Sequence, residues 1–358
     1  MNIIAFIDID YFFAQVEEIL DPSLKGKPIV VCVYSGRSKD SGAVATANYE
    51  ARKLGIKAGM PISQAKKIAP FAIFLPMRKE LYKQFSENVI KVLSRFTNKI
   101  EVASIDEAYL DITEVVKDFK EAELIGRKIK ESILNELGLK VTVGISFNKV
   151  LAKIAAELVK PNGLKVIDYD EAKSLVESLS IDEIPGLGDV LSKKLKEIGV
   201  NKLSDVRNIK YNELKKLIGE SKAKYLIKLL ELKIFEPITP KNKKSIARTL
   251  TLPKNTRNLD EIKLYLIKAI EEVYSKIDGI PRTISVFTIM EDLDIVSRSR
   301  TYKYGINKDS AVFKAIELLR EILEIDKRNV RRVGVRVSKL QKYYNLNQFI
   351  NGERNDIS

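Results

Sequence analysis

Hydrophobic and polar residues alternate along this chain in blocks that predict both strands and helices. The first block, "NIIAFIDIDYFFAQVEEIL", begins with an apolar run typical of a strand buried on both faces, and this run ends at Asp8 and Asp10. The next residues have the spacing of a helix, which makes Asp10 either its N-cap or a metal ligand. Asp8 lies outside the cap position. A carboxylate at the end of a buried strand indicates a functional role for Asp8.

A second acidic cluster lies in "KIEVASIDEAYLDIT", where apolar and polar residues alternate on both sides of Asp106 and Glu107. This alternation predicts a β-hairpin whose tight turn falls near the two acids. Adjacent acids at a hairpin turn are usually only solvated. Two acidic sites at strand ends are better explained together, as ligands that converge on divalent cations, because cations remove the repulsion between like charges. Asp111, further along the strand, is interpreted either as a structural acid or as one that supports the metal ligands without contacting the ions.

Side chains that can donate hydrogen bonds to a phosphate are spaced regularly in "SGAVATANYEARKLG". Thr46, Tyr49 and Arg52 recur at every third residue, which places them roughly on one face of a predicted helix. All three side chains donate hydrogen bonds, and Arg52 can hold a phosphate with two of them. The alternative is an N-cap threonine followed by an ordinary amphipathic helix. In "NKVLAKIAAELVKPNG", Lys160 ends a predicted helix and either complements its dipole or provides a second phosphate clamp.

The C-terminal half contains a helical region, a linker and a separate domain. Residues 168–233 include "IPGLGDVLSKKLKEIG", a glycine-rich turn between two short helices, which either binds a DNA phosphate through backbone amides or simply stops a helix. Prolines and lysines in 234–244 are typical of a linker. The pattern then predicts a strand from residue 248, a helix near 258–277, two strands in 282–303, a helix near 309–324 and a strand at 329–338. This βαββαβ order is a ferredoxin-like plan.

The last of these strands, "RNVRRVGVRVSK", separates valines from arginines. Period-two alternation places Val333, Val335 and Val337 on one face, and Arg332 and Arg336 on the other. The outward arginines either form a solvated basic face or contact the backbone of a nucleic-acid duplex.

Composition narrows the chemistry. The chain has 358 residues, 45% of them hydrophobic, and a formal net charge of +14. We expect about two to four domains and attraction to a polyanion such as nucleic acid, with a membrane surface as the alternative. No apolar run approaches about 18 residues, so we expect a soluble, cytoplasmic protein.

The sequence has no histidine, and its one cysteine, Cys32, lies in an apolar run where a buried hydrophobe is expected. A carboxylate site without histidine favours Mg²⁺, Mn²⁺ or Ca²⁺.

Four motifs together resemble those of the Y-family translesion DNA polymerases of the archaeal polymerase IV type. They are "FIDIDYFFAQVE", "GAVATANYEARKLGI", "SIDEAYLD" and "VGISFNKVLAKIAAELVKPNG", in the order that the family has them. The resemblance covers nearly the whole chain. It implies a multidomain α+β fold: a right-hand polymerase with a ferredoxin-like palm, small fingers and a helical thumb, plus a C-terminal βαββαβ little-finger domain.

The resemblance also implies domain boundaries and partners. The partners are primer-template DNA and deoxynucleoside triphosphates, the expected state is a monomer, and copying is of low fidelity with no proofreading exonuclease. The implied domains are a palm in 1–11 and 75–167, fingers in 12–74, a thumb with a helix-hairpin-helix in 168–233, a linker in 234–244, a little finger in 245–341 and a flexible tail in 342–358.

Site residues carried over from the family fall into three groups. The resemblance implies that Asp8, Asp106 and Glu107 are the catalytic carboxylates and hold two Mg²⁺ ions together with the Ile9 carbonyl; Mn²⁺ or Ca²⁺ can substitute in binding. It implies a sugar-discriminating steric gate at Phe13. The implied nucleotide-binding residues are Phe12, Phe13, Thr46, Tyr49, Arg52 and Lys160, and the implied DNA-binding residues are Gly186, Gly188, Arg331, Arg332 and Arg336.

Two other classes of protein remain open at this point. A nucleotidyl cyclase could use such a carboxylate site but would not need a basic C-terminal domain, and a noncatalytic DNA-binding protein would not need the acids. The tail "NLNQFING" either resembles a short peptide that binds a sliding clamp or is disordered filler.

Overall fold

The structure of the chain, a computed structural model, describes residues 2–239 and 244–341. These residues separate into two compact units, one formed by 2–33 and 43–239 and the other by 34–42 and 244–341. The predicted tail with its clamp-binding interpretation, 342–358, lies outside the described residues. No helix in the described part of the chain is long and apolar enough to cross a membrane.

The first unit begins with a mixture of strands and helices. The elements up to residue 166 are β1 (Ile4–Ile9), α1 (Phe12–Leu20), β2 (Ile29–Tyr34), β3 (Gly42–Ala47), α2 (Tyr49–Lys53), α3 (Ile62–Ile68), β4 (Ile73–Pro76), α4 (Lys79–Leu93), β5 (Ile100–Val102), β6 (Glu107–Asp111), α5 (Phe119–Leu137), β7 (Val141–Ser146), α6 (Lys149–Leu158) and β8 (Leu164–Val166).

A five-stranded sheet in the order β5-β6-β1-β7-β8 forms the centre of this unit. β1 is buried along its whole length between antiparallel β6 and β7, as its apolar run predicts. One face packs against the largest hydrophobic core, and Phe6 on the other face packs against small residues of α6. A side chain at Gly144 would lie 2.0 Å from the carbonyl of Ala152. Glycine at this position therefore lets α6 lie directly on β7.

A second, three-stranded sheet in the order β3-β2-β4 packs on α2 and α3. Cys32 is buried in β2, as predicted. Thr46 lies in β3, so the prediction of one helical face for Thr46, Tyr49 and Arg52 is wrong. The N-cap of α2 is Asn48, whose side chain accepts from the Ala51 amide; the threonine N-cap is therefore also wrong.

Four helices complete the first unit around a core of their own. A turn with Gly186 at φ +79° precedes the second of them, α8, and Gly219 at φ +84° separates the last two. These positive φ angles favour glycine. The helices are α7 (Tyr169–Ser178), α8 (Asp189–Glu197), α9 (Tyr211–Ile218) and α10 (Glu220–Leu230).

The second unit confirms the predicted βαββαβ order. Its four strands form a sheet in the order β11-β10-β12-β9, and both helices pack against one face. Val333, Val335 and Val337 are buried in that core, while Arg336 is exposed, as the alternation predicts. The predicted α+β fold with a C-terminal four-stranded sheet is therefore confirmed. The elements are β9 (Ser245–Thr256), α11 (Leu259–Tyr274), β10 (Ile280–Met290), β11 (Ile295–Thr301), α12 (Lys308–Ile325) and β12 (Val330–Gln341).

Candidate active site

Strand pairing brings the predicted carboxylates to one edge of the central sheet. Asp8 lies directly opposite Glu107 in the register of β1 and β6. The Ile9 amide donates to the Asp106 carbonyl at 2.9 Å, which fixes the hairpin turn beside the end of β1. Asp8 is buried, whereas Asp106 and Glu107 are half-buried. Asp8 and the adjacent pair Asp106 and Glu107, which come from two distant segments of the sequence, are therefore neighbours at the end of one buried strand.

Two lysines form ion pairs with two of these acids. Lys160 Nζ lies 2.8 Å from Asp8 Oδ2 and 2.8 Å from Glu157 Oε1, and Lys153 Nζ lies 2.6 Å from Glu107 Oε1. Lys153 is not among the site residues predicted from the sequence. Its position on α6, four residues after Lys149, is the signal that could have revealed it, because residues four apart share a helix face. Both lysines thus point toward the acids of the sheet.

Burial makes the Asp8 carboxylate costly to ionise. Removal from water raises the pKa of Asp8 to about 7, although the Lys160 ammonium lowers it, and the nearby Asp106 charge adds to the rise. Burial opposes the charge on Lys160, but the carboxylates of Asp8 and Glu157 raise the pKa of this lysine above its ordinary value. The edge of the sheet therefore requires compensating positive charge.

The donor set fits hard divalent cations. Within 2–239 and 244–341, no group of three or more Asp, Glu, Cys or His side chains is gathered closely enough to hold a metal ion. Instead, the ammonium groups of Lys153 and Lys160 contact two of the three acids, and they stand in for cationic charge there. Carboxylate oxygens are the ligands that Mg²⁺ and Mn²⁺ prefer, and a divalent cation here would offset the unfavourable burial of their negative charge.

Asp10 has a structural role in the turn after Lys160. The N-cap of α1 is Tyr11, so the N-cap interpretation of Asp10 is wrong. Asp10 is buried and accepts hydrogen bonds from Thr142 Oγ1 at 2.8 Å and from the Asn162 amide at 2.7 Å. Each carboxylate oxygen already has a donor. Asp10 therefore ties the turn after Lys160 to the central sheet.

Lys130 holds the same turn from the other side. Its Nζ donates to the carbonyls of Val141 at 2.6 Å, Asn162 at 2.9 Å and Gly163 at 3.2 Å, and to Asn162 Oδ1 at 2.8 Å. Burial lowers the pKa of Lys130. Lys130 is not predicted from the sequence, because most of its partners are backbone carbonyls that no sequence pattern identifies. With Asp10, it fixes the segment that follows Lys160.

Two of the residues predicted to donate hydrogen bonds to phosphate, Tyr49 and Arg52, lie near the start of α1. The Tyr11 ring meets the Tyr49 ring edge-on at 5.2 Å, and the Arg52 guanidinium lies 5.0 Å from the Tyr49 centroid. Arg52 Nε donates to the Ala47 carbonyl at 2.8 Å, which leaves the rest of the guanidinium for other acceptors. Burial raises the pKa of Tyr49 to about 12, and the charges of Asp10, Lys160 and Asp8 also act on it. Tyr49 therefore lies close to the carboxylates, Arg52 packs on its ring, and Thr46 belongs to a strand.

Phe12 and Phe13 occupy the first turn of α1. Phe12 is buried in the main core, and Phe13 is half-buried. The Phe13 ring stacks on the Tyr82 ring with centroids 4.6 Å apart and an angle of 20°. Phe12 is thus a core residue whose first-turn amide remains available, and Phe13 has one covered and one accessible side.

A cleft of about 940 Å³ opens beside the acids. Glu107 and Lys153 line one side, and six lysines line it in all. Gly186 lines the cleft, and its carbonyl accepts from Lys222 Nζ at 2.6 Å; Gly188 is the N-cap of α8. The cleft combines a carboxylate cluster with a basic wall. The lysines are Lys149, Lys153, Lys222, Lys224, Lys228 and Lys233.

The predicted arginines of the second unit lie on β12. Arg336 is exposed, and Arg331 and Arg332 are half-buried. Arg332 Nε donates to Thr251 Oγ1 at 3.0 Å, so part of this guanidinium is already engaged within the sheet. The face opposite the valines is therefore basic, with Arg336 as its freest cation of the three.

Three segments of the chain match known families. Residues 7–157 match the impB/mucB/samB family, and residues 243–348 match the C-terminal domain of that family. Residues 182–229 match a domain described as the thumb domain of DNA polymerase-iota.

Relatives and solved structures agree with these matches. DNA polymerase IV of Saccharolobus solfataricus is 56% identical over 348 residues, covering 97% of this chain and 99% of that protein. DNA polymerase IV of Sulfurisphaera tokodaii is 55% identical, covering 98% and 99%. The Y-family DNA polymerase chimera Dbh-Dpo4(243-245)-Dbh is similar with a TM-score of 0.93 at 55% identity, covering 95% of this chain and all of that one. The insertion ternary complex of Dbh DNA polymerase has a TM-score of 0.72 at 54% identity, with 95% and 100% covered.

Proposed function

Because this chain belongs to the Y-family DNA polymerases, the impB/mucB/samB family, we propose that it copies damaged templates by two-metal nucleotidyl transfer at low fidelity. As a DNA polymerase it is a nucleotidyltransferase. The observation that carries the proposal is the opposition of Asp8 and Glu107 at the end of β1, beside Asp106 and a lysine-lined cleft. No exonuclease domain is proposed.

The carboxylates Asp8, Asp106 and Glu107, with the Ile9 carbonyl, would hold two Mg²⁺ ions, and Mn²⁺ or Ca²⁺ could substitute in binding. When bound, such ions lower the pKa of the primer 3′-hydroxyl and neutralise charge on the leaving pyrophosphate. The protein contributes mainly position and charge. No side-chain nucleophile is needed, which agrees with a chain that lacks histidine and buries Cys32.

The nucleotide is held by donors around the start of α1. Lys160 and Arg52 supply positive charge, Thr46 and Tyr49 supply hydroxyl donors, and the first-turn amides of α1 supply backbone donors for the triphosphate. Phe13 faces the sugar and excludes a 2′-hydroxyl by steric contact. The contact of the Lys160 ammonium with Asp8 supports this role, because it places positive charge beside a proposed metal ligand.

Primer-template DNA occupies the lysine-lined cleft. The turn at Gly186 and Gly188 offers amides to a backbone phosphate, independent of base sequence. Arg331, Arg332 and Arg336 add phosphate contacts from the second unit. A DNA partner explains the net charge of +14 better than a membrane does. One basic surface is a groove and the other is the face of a strand, and both shapes suit a duplex.

Primer extension tests the proposal against the two other classes. The protein is incubated with Mg²⁺, four deoxynucleoside triphosphates and a primed template, undamaged or with one abasic site. Elongated primers on both templates are expected. Cyclic nucleotide would support a cyclase, and DNA binding without product would support a noncatalytic protein. Extension that always stops before the abasic site would contradict the damaged-template function.

A further inference from the structure

Three aromatic rings form a stack behind the first turn of α1. Phe13 stacks on Tyr82 with centroids 4.6 Å apart, and Phe12 lies 5.4 Å from Phe13 and 6.3 Å from Tyr82. Tyr82 belongs to α4 and has no exposed surface, whereas Phe13 is half-buried. The covered face of Phe13 therefore rests on a ring that is itself enclosed by the main core.

The Tyr82 ring is fixed at its far end. Its hydroxyl donates to Glu17 Oε1 at 2.5 Å, and Arg78 holds Glu17 with two nitrogens, Nε at 2.9 Å from Oε1 and Nη2 against Oε2. Glu17 is buried and lies on α1 four residues after Phe13, so it is on the same helix face. Burial raises the pKa of Tyr82 above its ordinary value, which keeps the hydroxyl protonated as a donor. Tyr82, Glu17 and Arg78 thus connect α1 to the beginning of α4 beside the pair of rings.

We propose that Tyr82, held by Glu17 and Arg78, is the support that keeps Phe13 in place and thereby sets the discrimination between ribose and deoxyribose. This inference rests on the proposed position of Phe13 beneath the sugar. A steric contact excludes a 2′-hydroxyl only if the ring cannot retreat, since an atom-sized movement would remove the clash. Retreat away from the sugar would press Phe13 into Tyr82, and Tyr82 would have to break its bond to buried Glu17.

Three rings in a core also have an ordinary explanation, in which Tyr82 contributes only packing. That explanation gives no reason for a buried carboxylate behind the ring, because burying Glu17 is unfavourable unless its partners are kept. It also predicts that loss of the ring lowers the use of both sugars alike. The two explanations therefore predict different ratios of ribonucleotide to deoxyribonucleotide use, whereas both allow the variant to be less stable.

The experiment measures kcat/KM for a ribonucleotide and the matching deoxyribonucleotide in wild type and four variants of the full chain. Tyr82→Leu removes the supporting ring and is expected to raise the ribo-to-deoxyribo ratio at least about fivefold. This rise is smaller than that expected for Phe13→Ala, about tenfold or more, which falls in the ~10- to 200-fold range of small steric differences. Tyr82→Phe keeps the ring, removes the bond to Glu17, and is expected to raise the ratio about two- to threefold.

Phe6→Leu is the matched control, because Phe6 is also a fully buried aromatic but packs on Tyr109, at 4.7 Å, outside the stack. Its ratio should equal that of wild type. An equal rise in Phe6→Leu and Tyr82→Leu would mean general loosening and would overturn the inference. If Phe13→Ala changes the ratio and neither Tyr82 variant does, the inference fails while the role of Phe13 stands. If Phe13→Ala also leaves the ratio unchanged, Phe13 does not face the sugar and both fail. Should Tyr82→Leu not fold, Tyr82→Phe, which keeps the core volume, decides alone.

Discussion

The buried carboxylate of Asp8 should make the metal-free protein less stable as the pH rises, and Asp8→Asn should remove this dependence. Asp8 has 7% of its surface exposed, and burial raises its pKa to about 7 from an ordinary value of 3.8. The folded chain therefore binds this proton more tightly than the unfolded chain does. The resulting stabilisation is complete below pH 3.8 and is lost as the pH rises through 7.

The size of the effect follows from the same two pKa values. Between pH 5 and pH 7 the unfolded carboxylate is already ionised and the folded one is not. Each pH unit in this interval is worth about 1.4 kcal/mol, so the wild type should lose roughly 2–3 kcal/mol of unfolding free energy between pH 5 and pH 8 through this one group. Asparagine at position 8 cannot ionise, so the variant should not lose it.

Denaturant unfolding in EDTA at pH 5 and pH 8 measures this directly. Because the chain has separate hydrophobic cores, the relevant transition is the one that Asp8→Asn shifts. The stability of the variant relative to wild type should rise by roughly 2–3 kcal/mol from pH 5 to pH 8. The difference between the two pH values cancels the other titrating groups. An equal stability difference at both pH values would refute the reasoning, since Asp8 would then be ionised throughout.

Other predictions address the supports of the site and the grip on DNA. Lys130→Met should raise the KM for deoxynucleoside triphosphates about tenfold with little change in DNA affinity, because the turn after Lys160 loses hydrogen bonds worth ~1–3 kcal/mol. Lys128 is an exposed lysine on the same helix, and Lys128→Met should change neither the KM nor the DNA affinity. A lower kcat with an unchanged KM in Lys130→Met would contradict this prediction. Removing residues 241–358 should leave a weakly active core whose DNA affinity depends less on salt, by about one unit of slope per lost phosphate contact, and an unchanged slope would mean that the arginines of β12 face elsewhere.

Much of the fold was predictable because its signals are local. In β12, alternation alone separated buried Val335 from exposed Arg336, and the apolar run of β1 correctly indicated burial on both faces. Thr46 was misplaced because its spacing to Tyr49 and Arg52 suits a helix, whereas pairing with β2 makes "GAVATA" a strand.

The supports of the candidate site could not be predicted, since each depends on distant parts of the chain. Lys153 meets Glu107 across 46 positions, Tyr82 meets Glu17 across 65, and Asp10 meets the Asn162 amide across 152. A sequence pattern records spacing along one element. It does not record which backbone amide or carboxylate will lie opposite a side chain once the sheet and helices have packed.

Single-turnover primer extension by Asp106→Asn and Glu107→Gln tests the central claim most directly. Each substitution removes the charge of one carboxylate with almost no change in volume, and Asp111→Asn is the matched control, because Asp111 lies on the same strand but accepts a structural bond from the Thr113 amide. With folding and DNA affinity verified for all three, we expect no extension by the first two and substantial extension by the control. Near-wild-type extension by either Asp106→Asn or Glu107→Gln would contradict the assignment of the catalytic site.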